Sequence, residues 1–486
     1  MHHSCAGLAA VRRDPPPINS RQGDKRASAG QRFAIASSAA HAIALLATAV
    51  LVTTLAPSVA AMAIPTVPSC SWPLETTGTG LTNVAYPDTD ATYWTMQFDS
   101  SRWRALSITG IYPEARFFSF VTYDTAGAFV DDIVDVDIKP DALSTNPFNP
   151  GVSPPGFGNK YSVLVSPSMR PPNNGNLVLA NPASLGWVIY RVYVPDKGEA
   201  RDGGVELPVV SLIGFDGKAH PLPPCGARGA ATAASGVGAD ADASRLATAA
   251  TVSTQALATG APGASRGGIC APDKIAFAIP ENTGGYFPNP ANKYIAGADL
   301  CFKPGRIVVV RGQGAIFPNT YNGYPVWLPP APGETIEMRY WSMCNNNQTS
   351  PYPVIECAAD WATNLDEQGY YTYVVSADDD PPAWVPPVAT WLPWGSKTVP
   401  NILIFRNMLP ASGFAQSVQA AAGQSGCTFN NQSGVPTPYS AIVAAGKCDE
   451  KVMGSYYPVA AYCDKALFIA KGWQGCFAAV GIGPRT

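Results

Sequence analysis

Five short segments occur twice in the chain, about two hundred residues apart and in the same order. Single matches this short arise by chance, but five in one order indicate an internal duplication. The sequence therefore predicts one fold built twice. The matched segments are YPDTDATY (86–93) with FPNPANKY (287–294), WRALSITG (103–110) with GRIVVVRG (305–312), RFFSF (116–120) with RYWSM (339–343), YSVLVS (161–166) with YTYVVS (371–376), and YRVYVP (190–195) with FRNMLP (405–410).

The repeated segments have the pattern of β-strands. They alternate in polarity, carry Val, Ile, Tyr and Phe, and are bounded by Gly, Pro or Asn. The 47 prolines and 45 glycines among 486 residues indicate many turns between short strands. We therefore predict an all-β protein made of two homologous, antiparallel, jelly-roll-like β-sandwiches.

A low-complexity segment rich in Ala, Gly and Ser, residues 226–267, separates the two copies. Such a composition cannot bury enough apolar surface to offset its ordering entropy, so we predict a flexible linker. The first sandwich then covers residues 64–225 and the second covers 268–486. Residues 411–450 have no counterpart in the first copy and predict an insertion, with a helix near Phe414–Ala422.

The first 63 residues have the features of an export signal with a long polar n-region. Basic residues precede an apolar run over 42–56, and small residues end the segment at Ala61-Met62-Ala63. A membrane anchor is the alternative, but the apolar run is shorter than the roughly 20 residues that a span needs. The sequence predicts a secreted or extracytoplasmic protein of the periplasm or envelope, with no membrane span after cleavage.

Ten of the eleven cysteines lie beyond the export segment, and an exported chain with an even number of cysteines predicts disulfides. Cysteines at matching ends of the two copies predict two long-range bonds, and two cysteines around an Asn/Pro-rich loop predict a local one. The predicted pairs are Cys70 with Cys225, Cys270 with Cys476, and Cys344 with Cys357. The sequence leaves open the partners of Cys301, Cys427, Cys448 and Cys463.

Several longer motifs resemble a known family. They are FFSFVTYDTAGAFV (117–130), WVIYRVYVP (187–195) and GGVELPVV (203–210) in the first copy, and DEQGYYTYVVS (366–376), TWLPWG (390–395) and ILIFRNMLP (402–410) in the second. Together they resemble the uncharacterised bacterial β-sandwich family catalogued as domain of unknown function twelve-fourteen, here as two diverged copies. The resemblance implies a jelly-roll fold and no settled activity.

Histidine content excludes several kinds of site. Only His220 lies outside the export segment, so one mature chain cannot build a multi-histidine metal centre. A GxxxxGK[ST] motif is absent, and a net charge of −3 without a basic block gives no indication of nucleic-acid binding. No metal or cofactor is predicted.

Carboxylates are the remaining catalytic candidates. They are Glu114, Asp124, the acidic run 131–137, and Asp366-Glu367. A glycosidase needs two such groups within roughly 5–10 Å. Asp131, Asp135 and Asp137 alternatively fit calcium ligands or a solvated loop.

Four arginines and four tryptophans are the candidate ligand-binding residues. Arg116 matches Arg339, and Arg191 matches Arg406, each in the middle of a predicted strand. A guanidinium there predicts either an internal ion pair or carbonyl clamp, or an anion pocket in each sandwich. The tryptophans are Trp341, Trp384, Trp391 and Trp394; those at 384–394 fit a sugar-stacking surface or a satellite core equally well.

The favoured function from sequence is an exported, non-catalytic binding or envelope-associated protein for a carbohydrate or small anionic ligand. The first alternative is a metal-independent, secreted hydrolase that resembles glycosidases and uses a carboxylate pair. The second is a structural assembly protein. A deep cleft with two carboxylates would favour the hydrolase, and exposed tryptophan rings would favour binding.

Overall fold

The computed structural model describes residues 69–80, 82–152, 159–168, 175–182, 185–225, 270–281, 287–431 and 437–484. The predicted export signal and the predicted linker lie outside these residues. Met62–Thr486 group into one compact unit. No helix among the described residues is long and apolar enough to cross a membrane. Below, the first half means described residues up to 225, and the second half means those from 270 onward.

The first half contains ten strands in two five-stranded sheets. One sheet has the order β1-β2-β8-β4-β5 and the other β10-β9-β3-β6-β7. Only β6 and β7 pair in parallel. The strands are β1 Leu74–Thr77, β2 Ala91–Asp99, β3 Ala105–Ile111, β4 Ala115–Tyr123, β5 Phe129–Val134, β6 Lys160–Ser166, β7 Leu177–Leu179, β8 Leu185–Pro195, β9 Val209–Ile213 and β10 Ala219–Pro221.

The second half contains eleven strands and three helices. Its sheets have the orders β11-β21-β14-β17-β18 and β16-β15-β19-β13-β12-β20. The strands are β11 Lys274–Ile275, β12 Phe277–Pro280, β13 Asn292–Gly297, β14 Arg306–Gln313, β15 Met338–Asn347, β16 Val354–Ala359, β17 Tyr370–Ser376, β18 Thr390–Pro393, β19 Asn401–Pro410, β20 Thr428–Phe429 and β21 Val459–Asp464. The helices are α1 Val418–Ala422, α2 Tyr439–Met453 and α3 Lys465–Ala479.

The strand order of the first half recurs in the second. The order β12-β13-β19-β15-β16 corresponds to β1-β2-β8-β4-β5, and β11-β21-β14-β17-β18 corresponds to β10-β9-β3-β6-β7. The register also corresponds, because Ser119 lies opposite Arg191 and Ser342 lies opposite Arg406. The repeated sequence segments therefore lie on corresponding strands.

In each half, residues of both sheets contribute to one large apolar cluster, and Val326 of the second half joins the cluster of the first half. In the first half, Phe118 and Phe120 of β4 pack with Val163 and Val165 of the opposite sheet. A separate apolar cluster joins the halves, with Phe117 and Tyr193 of the first half against Tyr340 and Met408 of the second. All nine residues of β4 are buried, because one face of this strand meets its own core and the other meets the second half.

Five disulfides connect the ten cysteines of the described residues. The predicted bonds Cys70–Cys225 and Cys344–Cys357 are present. The predicted bond between Cys270 and Cys476 is wrong. The observed pairs are Cys270–Cys301, Cys427–Cys448 and Cys463–Cys476.

The wrong pairing follows from a difference between the two halves. After β9 the first half continues into the edge strand β10, whereas after β21 the second half continues into α3. That helix returns Cys476 to Cys463 at the end of β21, with 5.2 Å between their Cα atoms. The edge position beside β21 is filled instead by β11, close behind Cys270.

The region predicted as an insertion holds α1, β20 and most of α2. The predicted helix near 414–422 is present as α1, and Ser417 caps it by accepting a hydrogen bond from the Ala420 N–H. Helices α2 and α3 were not predicted. The coarse prediction of a β-rich fold is confirmed, with helices confined to the second half of the described residues.

Candidate functional site

A cleft of about 250 Å³ lies where residues of the two halves meet. The first half contributes the loop between β1 and β2, the end of β8 and the loop that follows it. The second half contributes Tyr321 and Trp361, each on a short 3-10 turn. The hydroxyl groups of Thr79, Thr89 and Thr92 add polar lining.

Asp90 is a carboxylate of the cleft that is hydrogen-bonded to the aromatic lining. Its Oδ1 accepts a hydrogen bond of 3.0 Å from Nε1 of Trp361. Burial, followed by the nearby charge of Asp88, raises the pKa of Asp90 to about 7, and the Trp361 bond partly opposes this. At neutral pH the Asp90 carboxyl therefore exists in both protonation states and can donate or accept a hydrogen bond.

Asp196 is a second carboxylate of the cleft lining with a raised pKa. Burial, followed by the charge of Glu114, raises the pKa of Asp196 to about 7. Its backbone N–H donates to the Glu114 carbonyl at 3.0 Å. Glu199 also lines the cleft, and Arg201 is ion-paired with Glu75 at 3.1 Å. Three carboxylates against one paired guanidinium make the lining unsuited to an anion.

Tyr321 and Trp361 form a stacked pair, with ring centroids 3.8 Å apart and an interplanar angle of 16°. Both side chains are half-buried. The buried guanidinium of Arg116 holds both turns in place. Its Nε donates to Thr320 Oγ1 at 2.8 Å, and its Nη1 pairs with Asp360, the residue before Trp361. The aromatic wall is therefore fixed from the first half of the chain.

The four arginines singled out from sequence all lie at the contact between the halves, and three of them pair with a carboxylate of the opposite half. These pairs are Arg116 with Asp360, Arg339 with Asp135 at 3.2 Å, and Arg406 with Asp88 at 3.8 Å. These contacts match the internal ion pairs that were one of the two alternatives for these arginines, and ligand binding by them stays a prediction. Their guanidinium groups serve as internal ion pairs, because opposite-half carboxylates already occupy them.

Arg191 differs from the other three. Its Nη2 donates to the Phe287 carbonyl at 2.9 Å and to the Tyr123 hydroxyl. The equivalent contact of Arg406 is Nη2 to the Tyr86 carbonyl at 2.6 Å. Tyr86 and Phe287 have positive φ angles of 55° and 52°, so both carbonyls are aimed by the same unusual backbone conformation.

The tryptophans predicted to bind a ligand do not form an exposed surface. Trp341 and Trp394 are 0% and 1% exposed and are core residues, and the ligand-binding prediction for these two stays a prediction. Trp391 is half-buried and donates to Ser376 Oγ at 2.9 Å. Trp384 packs against Phe468 of α3. Residues of the 384–394 segment thus pack into the main apolar cluster of the second half.

Most of the sequence-predicted carboxylates have structural partners. Asp124 accepts from two backbone N–H groups of its own turn, and Asp131 accepts from the Leu179 N–H at 2.7 Å. Asp366 pairs with Arg311 at 2.6 Å. Glu114 is exposed beside Asp196 and is the candidate nearest to the cleft.

Sequence reasoning missed Asp90, Asp196, Tyr321 and Trp361. The repeat itself held one signal for Asp90, because its segment YPDTDATY aligns with FPNPANKY, where Ala291 replaces the acid. A carboxylate present in only one of two matched segments was a signal that could have singled out Asp90. Tyr321 lies between the repeated segments, so the alignment of the copies gave no signal for it.

No protein-family model matches the chain, and no curated protein matches it. Among solved structures, an uncharacterised Burkholderia cenocepacia protein is 13% identical at a TM-score of 0.43, covering 72% of this chain and 81% of that one. A Vibrio parahaemolyticus protein is 11% identical at a TM-score of 0.33, covering 69% of this chain and 88% of that one. Both likenesses are too distant to assign a family or an activity.

Proposed function

We propose that this is an exported binding protein for a neutral, hydroxyl-rich ligand such as a sugar unit, bound in the cleft beside Asp90 and Trp361. The observation that carries the proposal is the hydrogen bond from Trp361 Nε1 to Asp90, next to the Tyr321–Trp361 stack. Aromatic rings offer apolar faces to sugar C–H groups, while a carboxyl and threonine hydroxyls exchange hydrogen bonds with sugar hydroxyls.

The charge of the lining narrows the ligand class. Asp90, Asp196 and Glu199 face the same cleft, and Arg201 is already paired with Glu75. The anionic ligand considered from sequence is therefore not proposed for this cleft. The five disulfides fit an oxidising, extracytoplasmic location, which we propose together with cleavage of the export signal.

We also infer that the two halves are diverged copies of one β-sandwich. The corresponding strand orders and the corresponding positions of the four arginines support this inference. The resemblance to the twelve-fourteen family is part of the same proposal and rests on the motifs quoted above.

A hydrolase is the second candidate, and one observation favours it. Asp90 and Asp196 line one cleft, and the pKa of each is raised to about 7, as a general acid requires near neutral pH. In this alternative, one carboxyl acts as general acid and the other as general base in the hydrolysis of a glycosidic bond.

One experiment separates the two candidates. The mature protein, residues 64–486, is screened on a glycan array, and the best glycan is then titrated by calorimetry and assayed for reducing-sugar release. Asp90→Asn removes the acid but keeps the shape, and we expect about tenfold weaker binding, the value of one hydrogen bond with partial charge. Trp361→Ala is expected to weaken binding at least as much, because the stacking face and the Asp90 contact are both lost.

Trp391→Phe is the matched control, because this tryptophan is also half-buried but lies outside the cleft lining. Equal loss of binding in Trp391→Phe and Trp361→Ala would contradict the cleft as the binding site. Sugar release that Asp90→Asn or Asp196→Asn abolishes would establish the hydrolase instead.

A further inference from the structure

The four corresponding arginines differ in charge compensation. Arg116, Arg339 and Arg406 each have a carboxylate oxygen of the opposite half within 4.0 Å. Arg191 has none at that distance among the residues that the structure describes. Its side chain is as deeply buried as those of Arg116 and Arg406, at 1% exposure. A buried charge without a counter-charge is costly, so this difference needs a physical explanation.

The explanation lies in one residue that differs between the halves. Arg406 reaches the Tyr86 carbonyl and, two residues along, the carboxylate of Asp88. Arg191 reaches the Phe287 carbonyl in the same way. The residue two positions after Phe287, however, is Asn289 instead of an aspartate. Asparagine has the shape of aspartate without its charge, so the counter-charge of Arg191 is missing from its expected place.

Most polar atoms left without a partner around this position are donors; Oγ of Ser119, opposite Arg191, is a hydroxyl without a partner, and Oδ1 of Asn292 is an acceptor without one. Nε and Nη1 of Arg191 have no hydrogen-bond partner among the described residues, and neither has Nδ2 of Asn289, which is 4% exposed. The amide of Asn289 is oriented by its Oδ1, which accepts from the Ala291 N–H at 3.2 Å. The three buried N–H donors of Arg191 and Asn289 therefore lack an acceptor among the described residues, and a group that accepts from all three would satisfy them.

The surroundings of Arg191 are aromatic and compensate its charge only in part. The rings of Tyr93 and Tyr123 lie 5.6 and 5.5 Å from the guanidinium carbon of Arg191. Asp132 is the carboxylate whose pKa Arg191 lowers, but burial and the charge of Asp131 outweigh this effect and leave the pKa of Asp132 raised. Asp132 therefore compensates Arg191 only in part and from beyond ion-pair distance.

We propose that Arg191 and Asn289 form a buried site for a monovalent anion of halide size, chloride under ordinary conditions. A monatomic anion accepts hydrogen bonds from all three donors and neutralises the guanidinium without needing any donor of its own. A water molecule would satisfy one or two N–H groups and leave the charge in place. The site is separate from the proposed cleft ligand, and its test does not depend on that function.

The first test compares the thermal unfolding of the mature protein in sodium chloride and in sodium gluconate at equal ionic strength and pH. Gluconate is too large for the site, so the midpoint is expected to be about 2 °C higher in chloride, with a rise that saturates as a binding isotherm. Midpoints that coincide in the two salts over the whole concentration range would overturn the proposal. Crystals soaked in bromide are expected to show an anomalous peak beside Arg191.

Substitutions test whether the effect of chloride on the unfolding midpoint arises at Arg191 and Asn289. Asn289→Asp supplies the carboxylate that Asp88 supplies to Arg406, and its midpoint is expected to be the same in both salts. Asp132→Asn is expected to keep the chloride effect or increase it. A chloride effect that survives in Asn289→Asp, or that disappears in Asp132→Asn, would show that the anion is bound elsewhere. Circular dichroism in gluconate checks that each variant is folded.

Discussion

Arg116 lies on β4 of the first half, and its side chain contacts Thr320 and Asp360 of the second half. Its guanidinium is fully buried and pairs with Asp360, while its Nε holds Thr320. Burial raises the pKa of Asp360 to about 6 even though the charge of Arg116 opposes the shift. The ion pair therefore keeps a buried carboxylate charged and places the cleft residue Trp361 at the same time.

Replacing Arg116 with methionine is expected to destabilise the protein by about 3–5 kcal/mol, because Asp360 then remains buried without its ion-pair partner. The pKa of Asp360 should rise further in this variant. Since a carboxyl with a raised folded-state pKa loses stability as pH rises through that pKa, the cost should be larger at pH 8 than at pH 5. Urea unfolding at the two pH values measures both effects.

The double variant Arg116→Met with Asp360→Asn is expected to recover part of the loss, because no buried charge remains. Arg201→Met is the control, since Arg201 pairs with Glu75 at the exposed surface and should cost less than about 1 kcal/mol. A double variant as unstable as the sum of its single variants would contradict the coupling.

At the residue scale, the sequence predicted which arginines correspond but not what they contact. The apolar faces around Arg116 and Arg339 required a partner, and an internal ion pair was one of the two alternatives. The partners Asp360 and Asp135 lie in the opposite half, more than two hundred residues away in the chain. Pattern and spacing within one strand carry no information about such a distant contact.

Helix α2 carries a buried acidic residue, Asp449, that packs against β12. Asp449 is 0% exposed, and its Oδ2 accepts from the Ile279 N–H of β12 at 3.2 Å. Its Oδ1 has no hydrogen-bond partner among the described residues. Burial raises the pKa of Asp449 to about 7, so folding takes up a proton at intermediate pH.

The variant Asp449→Asn is expected to be more stable than the native protein at pH 8, with a smaller gain at pH 5, which already lies above the unfolded-state pKa of 3.8. The amide keeps the acceptor for Ile279 but cannot become charged, whereas native Asp449 loses stability as pH rises through its folded-state pKa of about 7. Urea unfolding at both pH values checks this. Glu334→Gln, a change to an exposed loop carboxylate, should have no effect, and a lower stability of Asp449→Asn at pH 8 would contradict the argument.

At the element scale, alternation and turn residues were enough to predict strands in the repeated segments. Short edge strands such as β11 and β20, of two residues each, carry too little pattern to be read from sequence. Helix α3 was missed because the two halves were aligned beyond β9 and β21. After these strands the first half continues with a strand and the second with a helix. The wrong Cys270–Cys476 pairing has the same origin.

The whole molecule is held together across its halves without a covalent crosslink among the described residues. Each of the five disulfides joins cysteines of one half. Between the halves lie the apolar cluster of Phe117, Tyr193, Tyr340 and Met408 and the arginine ion pairs. Packing and buried charge must therefore supply the association.

Cutting the chain between the halves is expected to leave them associated. A protease site introduced within residues 226–267 allows cleavage of the folded protein, and the product should elute from a sizing column at the volume of the intact protein. A denaturing gel without reductant should show two fragments, because no disulfide connects them. Elution as two smaller species in native buffer would contradict the prediction.

The contacts between the halves are reciprocal. Arg116 meets Asp360 as Arg339 meets Asp135, and Arg191 reaches the Phe287 carbonyl as Arg406 reaches that of Tyr86. Reciprocity of this kind is what a two-fold axis imposes on identical subunits. Under the proposed duplication, a single copy with this surface is expected to form a homodimer, and fusion of two copies would allow aspartate at one position and asparagine at its counterpart.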